Sequence, residues 1–417
     1  MSPEPDVPGF DVSAVRDHFP SLKAGYAHFD GPGGSQVPDV VAQAVATTMT
    51  SPLANRGTVT AAERAADAIV GDARAAMADL LGADPAGIVF GRSMTALTFD
   101  TARTLAATWA PGDEVVVSRL DHDANIRPWV LAAQAVGAVV RWADFDPATG
   151  ELTVDDVAAV LSERTRLVAV TAASNLIGTR PPVRAIADRC HAVGAVVHVD
   201  GVHHTAHAGV DVAALGADLY VCSPYKFLGP PCGVLAGAPE LLETLRPQKL
   251  LPSSDAVPER FELGTLPYEL LAGTTAAVDF LAGLAGTPGS RRERLVASMA
   301  ALGSHEDRLR DRIEAGLAAL PGVTVYSRAA HRTPTLLVGF DGREPGAAYR
   351  FLAGRGVNAP ASSFYAVEAS RHLGLGDTGS LRIGLAPYTD DGDVDRLLEG
   401  LGSFLESSGG SANSGGR

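Results

Sequence analysis

Cysteine is scarce: Cys190, Cys222 and Cys232 are the only three, an odd number at irregular spacing. Such a set builds no disulfide framework and fits a reducing compartment. Lysine is equally rare, limited to Lys23, Lys226 and Lys249, and no long basic run appears anywhere. With a formal net charge of -14, the chain lacks the clustered cations that nucleic acid or an acidic membrane surface would require. Apolar stretches such as Leu131–Val140 are too short to span a bilayer. Met1–Phe10 is acidic and proline-rich, without the basic start and apolar stretch of an export signal, so the expected compartment is the cytoplasm. What remains is an ordinary globular composition, 46% hydrophobic and 20% charged, long enough for two or three structural units.

The pattern along the chain predicts an N-terminal arm over residues 1–30 with a short helix at Val12–His18, then a glycine-rich turn, Asp30-Gly31-Pro32-Gly33-Gly34. No adequate strand precedes Gly33-Gly34, so it is no dinucleotide fingerprint. A helix is expected from Thr60 to Leu81, stopped by Gly82. From Ile88 onward short apolar strands alternate with helices. Strands are expected at Ile88–Phe90, Glu114–Ser118, Ala138–Trp142, Leu167–Thr171, Val196–Val199 and Leu219–Cys222. Intervening helices are expected at Ala96–Trp109, Pro128–Val136, Val154–Leu161 and Val183–Val193. This alternation implies an α/β fold with a mostly parallel sheet covered on both faces. The large unit is placed at 31–285, bridged by a helix near Tyr268–Leu284 to a smaller α+β unit at 286–405. Residues 406–417, rich in Gly and Ser, are expected to be a disordered tail.

Ligands of open parallel sheets bind beyond the carboxyl ends of the strands. Five strand ends here deliver polar groups: Ser93 with Thr95, Asp121-His122-Asp123, Ser174-Asn175, Asp200 with His203, and Ser223-Pro224-Tyr225-Lys226. Together they suit one ligand. Asp200 can keep a pyridine nitrogen protonated, while Ser93, Thr95 and Ser223 offer hydroxyls to a phosphate at a helix start. Asn175 or His203 can serve a phenolic oxygen, His122 can lie flat on a ring, and a desolvated Lys226 can condense with an aldehyde. That ligand is pyridoxal 5′-phosphate (PLP).

The segments Val199-Asp200-Gly201-Val202-His203 and Cys222-Ser223-Pro224-Tyr225-Lys226-Phe227-Leu228-Gly229-Pro230 resemble the class V aminotransferase family, nearest its cysteine-desulfurase-like branch. Asn55-Arg56-Gly57, Leu120 to Asn125, Ser174 to Thr179, Arg260 to Thr265 and Leu381 to Ala386 extend the resemblance across residues 25–405. It implies a fold-type-I PLP-dependent architecture, with a seven-stranded-type sheet in the large domain and a smaller α+β C-terminal domain. It further implies Lys226 as the Schiff-base lysine, Asp200 at the pyridine nitrogen and His122 stacked on the ring, with Asn175 and His203 near the ring oxygen. Ser93, Met94, Thr95 and Ser223 would hold the phosphate, joined by Thr265 from a second subunit of a homodimer. Arg382 would grip the substrate carboxylate, with Asn175, Phe364 and Tyr365 beside it and Arg56 as a possible substrate or phosphate contact.

Three positions depart from the branch. Tyr225 precedes the lysine where desulfurases usually have histidine, and His203 stands in place of glutamine. The late loop that should carry a persulfide-forming cysteine reads Asn358-Ala359-Pro360-Ala361-Ser362-Ser363-Phe364-Tyr365, with no cysteine after Cys232. Serine is too weak a nucleophile to replace a thiolate there. The expected activity is therefore β-elimination, cleaving the C–S bond of an S-conjugated cysteine. Decarboxylation-coupled deamination, transamination, epimerisation, cysteine desulfuration and a non-catalytic relative remain as alternatives. His203-x-x-x-His207 lacks a third ligand, so no metal is expected, and Cys232 is expected to be a packed turn residue.

Overall fold

The computed structural model describes residues 9–407. Its strands, in chain order, are β1 (Ala27–His28), β2 (Ile88–Gly91), β3 (Glu114–Ser118), β4 (Val139–Ala143), β5 (Thr165–Thr171), β6 (Val196–Asp200) and β7 (Leu219–Cys222). They continue with β8 (Gly233–Gly237), β9 (Val323–Val325), β10 (Thr335–Phe340), β11 (Val357–Asn358), β12 (Ala361–Ser362) and β13 (Ser380–Gly384). Seven of them form the main sheet in the order β2-β8-β7-β6-β5-β3-β4. Every neighbouring pair is parallel except the two made by β8, which runs antiparallel to both β2 and β7.

The strands are apolar on both faces because each face has its own core. Alternate side chains Val116, Val168, Val170, Val197, Val199 and Tyr220 enter one apolar cluster. Their neighbours Val115, Val117, Leu167, Ala169, Leu219 and Val221 enter the other. A period of two thus divides one run of β-branched residues between two helical layers. In the first layer, the helix Ala61–Leu81 starts in a reciprocal Thr60–Glu63 capping box and ends at Gly82, whose φ of 59° is left-handed.

β8 is absent from the sequence-based expectation. Gly233-Val234-Leu235-Ala236-Gly237 offers three apolar residues between glycines, a pattern that signals a turn more readily than a strand. Gly233 is needed for close approach, since a Cβ there would lie 2.2 Å from the Ser93 carbonyl carbon. The helices Asp39–Met49 and Pro345–Ala353 were also unanticipated. The helix expected from Ala96 begins two residues earlier, as Met94–Ala106.

β9, β10, β12 and β13 form a second, antiparallel sheet in the order β12-β13-β10-β9, and β1 pairs in parallel with β11. The long helix Arg291–Ala318 and the last helix Asp391–Glu406 pack into this third apolar cluster through Leu309, Ile313, Leu397 and Leu401. The expected tail therefore starts inside a helix at Glu406, and residues 408–417 lie outside the described residues. Among the described residues no helix is long and apolar enough to cross a membrane.

Candidate active site

The carboxyl ends of β3, β5, β6 and β7 open on a cleft of about 570 Å³, within the range of sites for small organic ligands. Lys226 closes a single turn, Pro224–Lys226, directly after β7. Its Nζ donates to the carbonyl oxygens of Pro32 and Gly33, the latter at 3.0 Å. Burial, helped by the Arg382 charge, pushes the amine down to about 8, against the pull of Asp30 and Asp200. Asp200 ends β6, is 4% exposed, and is pushed up to about 6 by burial. The Val202 N–H donates to it at 2.9 Å and opposes that shift. The next residue must be glycine, because a Cβ on Gly201 would lie 1.8 Å from Cζ of Tyr220.

At the other end of the cleft, Ser93 caps the helix Met94–Ala106 by accepting the Ala96 N–H at 3.1 Å. Met94 and Thr95 line the cleft in the first turn, and Thr95 Oγ1 lies 3.4 Å from the weak acceptor Met94 Sδ. Ser223 joins them from the end of β7. A helix N-terminus with flanking hydroxyls is an anion cradle.

His122 accepts the Ala124 N–H on Nδ1 at 3.0 Å and lies against the Tyr365 ring, with centroids 5.5 Å apart and planes 27° apart. Burial lowers it to about 4, so it is a neutral aromatic plate at pH 7. Beneath its loop, buried Asp121 accepts from Ser118 Oγ and from Asn125 Nδ2 at 2.7 Å, and burial lifts its carboxyl to about 8. Asn175 donates Nδ2 to the Phe364 carbonyl at 3.0 Å. His203 Nε2 lies 2.9 Å from Thr333 Oγ1 and 3.0 Å from Thr335 Oγ1. Arg382, 1% exposed, gives Nη2 to Asp30 at 2.7 Å and Nη1 to the Asn175 carbonyl at 3.1 Å. Its guanidinium sits 3.6 Å from the Phe364 ring centre.

Three buried polar atoms of these residues have no partner: Asn175 Oδ1, His203 Nδ1 and Arg382 Nε. Each orphan costs about 1–3 kcal/mol unless satisfied, and these three border the cleft, where a polar ligand can meet them. A desolvated amine, a buried carboxylate, a flat neutral ring and a helix start flanked by hydroxyls are a set that suits PLP. Phe364 and Tyr365 have left-handed φ of 51° and 59°. Two consecutive non-glycine residues in that region cost about 1 kcal/mol or more each and persist only where contacts hold them.

Two of the expected residues do not line this cleft. Arg56 is taken up by Asp67 at 2.8 Å and Glu259 at 3.3 Å, the acidic partners a lone guanidinium finds on the folded surface. Thr265 is exposed on a loop away from the cleft of its own chain. Sequence reasoning missed Asp30, Phe99 and Arg127 as lining residues. The turn holding Asp30 was visible, but nothing local tied it to Arg382, in the middle of a strand 352 positions away. His203 and His207 pack edge to face at 4.8 Å, and His207 Nδ1 lies 2.9 Å from Glu306, so His207 is tied into the core while His203 borders the cleft. Among the described residues no three His, Cys, Asp or Glu side chains form a metal-holding group. All three cysteines are buried, and burial raises Cys190 to about 12 and Cys232 to about 11, with Cys222 higher still.

The chain is similar to known proteins over most of its length. The family model described as Aminotransferase class-V matches residues 27–397. An uncharacterized protein of Mycobacterium tuberculosis is 34% identical over 95% of this chain and 99% of its own length. A cysteine desulfurase of Dickeya dadantii is 33% identical over 83% of this chain and 84% of its own. The crystal structure of the Escherichia coli cysteine desulfurase CsdA superposes with a TM-score of 0.85 at 28% identity, covering 95% of this chain and 99% of that one. The chain therefore belongs to the class V aminotransferase family, in its cysteine-desulfurase-like branch, and its cofactor is pyridoxal 5′-phosphate.

Proposed function

We propose that this enzyme cleaves the C–S bond of an S-conjugated cysteine by β-elimination, converting substrate and water into a free thiol, pyruvate and ammonium. The observation that carries this reading is the lack of an acceptor thiol. None of the three cysteines lines the cleft, all are buried, and burial holds each as the unreactive thiol. Sulfur taken from a substrate has no protein atom to receive it and so leaves on its own substituent.

In this reading Lys226 carries the cofactor and Asp200 holds a proton at the ring nitrogen. The helix start at Ser93, Met94 and Thr95 holds the phosphate with Ser223, and His122 covers the ring. PLP supplies an electron sink for the bond broken at Cα. Arg382 binds the substrate carboxylate through its unpartnered Nε edge, with Asn175 alongside. Lys226, with an amine lowered to about 8, takes the Cα proton once substrate has displaced it. Loss of the thiol from Cβ follows, and the pair Phe364-Tyr365 forms the wall along which the departing group lies. Thr265, exposed in one chain, is assigned to the phosphate of a second copy, so the working unit is a homodimer. The enzyme is incubated with a panel of S-alkyl and S-aryl cysteines and pyruvate is assayed. Stoichiometric thiol and pyruvate are expected, and no product across the panel contradicts the reading.

A further inference from the structure

We propose that Tyr365 is a specificity-determining residue, a fixed aromatic surface at the cleft mouth that selects substrates bearing a flat, π-rich group beyond Cβ. The inference deepens the proposed C–S cleavage by naming the substituent, and it rests on that reading for the sulfur alone.

An exposed tyrosine is ordinarily free to rotate. Tyr365 is 75% exposed, yet its backbone is fixed by two carbonyl hydrogen bonds and its ring by one stacking contact. Its carbonyl accepts the Asp123 N–H at 2.8 Å, and the preceding carbonyl, of Phe364, accepts Asn175 Nδ2 at 3.0 Å. Its ring rests on His122 at 5.5 Å. Phe364 is fixed in turn against the Arg382 guanidinium at 3.6 Å, so the aromatic pair is rigidly coupled to the group that grips the substrate carboxylate. The left-handed φ of both residues keeps the two rings from following the alternation of an extended strand. Tyr365 also lines the cleft, which joins its exposed ring to the same space as Lys226. Phe99 adds a second aromatic ring to the cleft lining, and Arg127, paired with Asp123 at 3.1 Å, adds a polar group. A substituent extending from Cβ therefore leaves the carboxylate subsite along a preset aromatic wall. Flat rings gain from offset stacking on such a surface beyond the area they bury, and saturated rings of equal size do not.

The test uses ligands that cannot be cleaved, so that it stands or falls separately from the pyruvate assay. Binding of 2-amino-4-phenylbutanoate and 2-amino-4-cyclohexylbutanoate to the PLP-loaded enzyme is measured by calorimetry. The phenyl compound is expected to bind about 5-fold tighter than the cyclohexyl one, a preference kept by Tyr365→Phe and reduced below about 2-fold by Tyr365→Ala. Equal binding of the two ligands by the unaltered enzyme, or a preference that survives Tyr365→Ala, overturns the proposal.

Discussion

Arg382 and Asp30 form an ion pair at 2.7 Å in which the guanidinium side chain is 2% exposed and the carboxylate 44%. An internal carboxylate thus rests on the group proposed to receive the carboxylate of the substrate. Replacing Asp30 by Asn keeps the shape and removes the competing charge. Asp30→Asn is expected to lower KM by about 2- to 5-fold, the scale of one partly solvated ion pair. Arg382→Lys, which loses the planar fork, is expected to raise KM by about 10- to 100-fold. Steady-state kinetics on one amino-acid substrate checks both, and an increase in KM for Asp30→Asn contradicts the competition.

Phe364 tests the wall from the opposite side. Its ring covers the Arg382 guanidinium, a contact of about 1–2 kcal/mol where it is desolvated. Phe364→Leu is expected to raise KM about 5- to 20-fold, with kcat less affected, because it loosens the carboxylate grip and leaves Lys226 in place. A change confined to kcat contradicts this role.

The lowered amine of Lys226 gives a pH signature in protein freed of cofactor. With the group near 8 instead of 10.5, about one amine in ten is neutral at pH 7, against about one in 3,000 for an ordinary lysine. Only the neutral amine attacks an aldehyde, so the rate of PLP capture should climb with pH and level off just above 8. A rate still rising tenfold per pH unit beyond 9 contradicts the desolvated amine.

Acid stability follows from the buried histidines. Burial lowers His122 to about 4 and His198 and His204 to about 3, and it takes His203 well below its usual value. Near pH 5 these four are neutral when folded and protonated when unfolded, so each weakens the fold as pH falls below about 6.5. Asp121 and Asp200 act oppositely, since their raised values of about 8 and about 6 keep protons in the folded state that the unfolded chain releases. More protons are taken up by the histidines than are released by the two carboxyls on unfolding near pH 5, so acidification weakens the fold. Urea unfolding of the cofactor-free protein between pH 7 and pH 5 measures this, and stability that holds or rises on acidification contradicts it.

The thiols supply a chemical check. Iodoacetamide is expected to label none of Cys190, Cys222 and Cys232 in the folded protein and all of them after denaturation. Rapid labelling of Cys232 with loss of activity would return a nucleophilic thiol to the account.

Much of this was legible in the sequence because strand periodicity and strand-end chemistry are local. Val196–Val199 followed by Asp200, and Leu219–Cys222 followed by Lys226, locate two facing side chains without any knowledge of the third dimension. The structure then brings Ser93, His122, Asn175, His203 and Arg382 to the same cleft. What was not legible depends on distant packing. β8 hides between glycines because Gly233 must pass the helix start, and Asp30 meets Arg382 because the chain just after β1 bridges to the end of β13 at Gly384. Arg56 and Thr265 face surfaces of the single chain that local patterns do not distinguish from the cleft.

The central claim is that one amine, on Lys226, carries the cofactor. With only three lysines in the chain, the most direct measurement is borohydride reduction of the PLP-loaded protein followed by peptide mapping. One pyridoxyl group per chain on the peptide containing Lys226 is the predicted result. A label on Lys23 or Lys249, or none at all, contradicts the account.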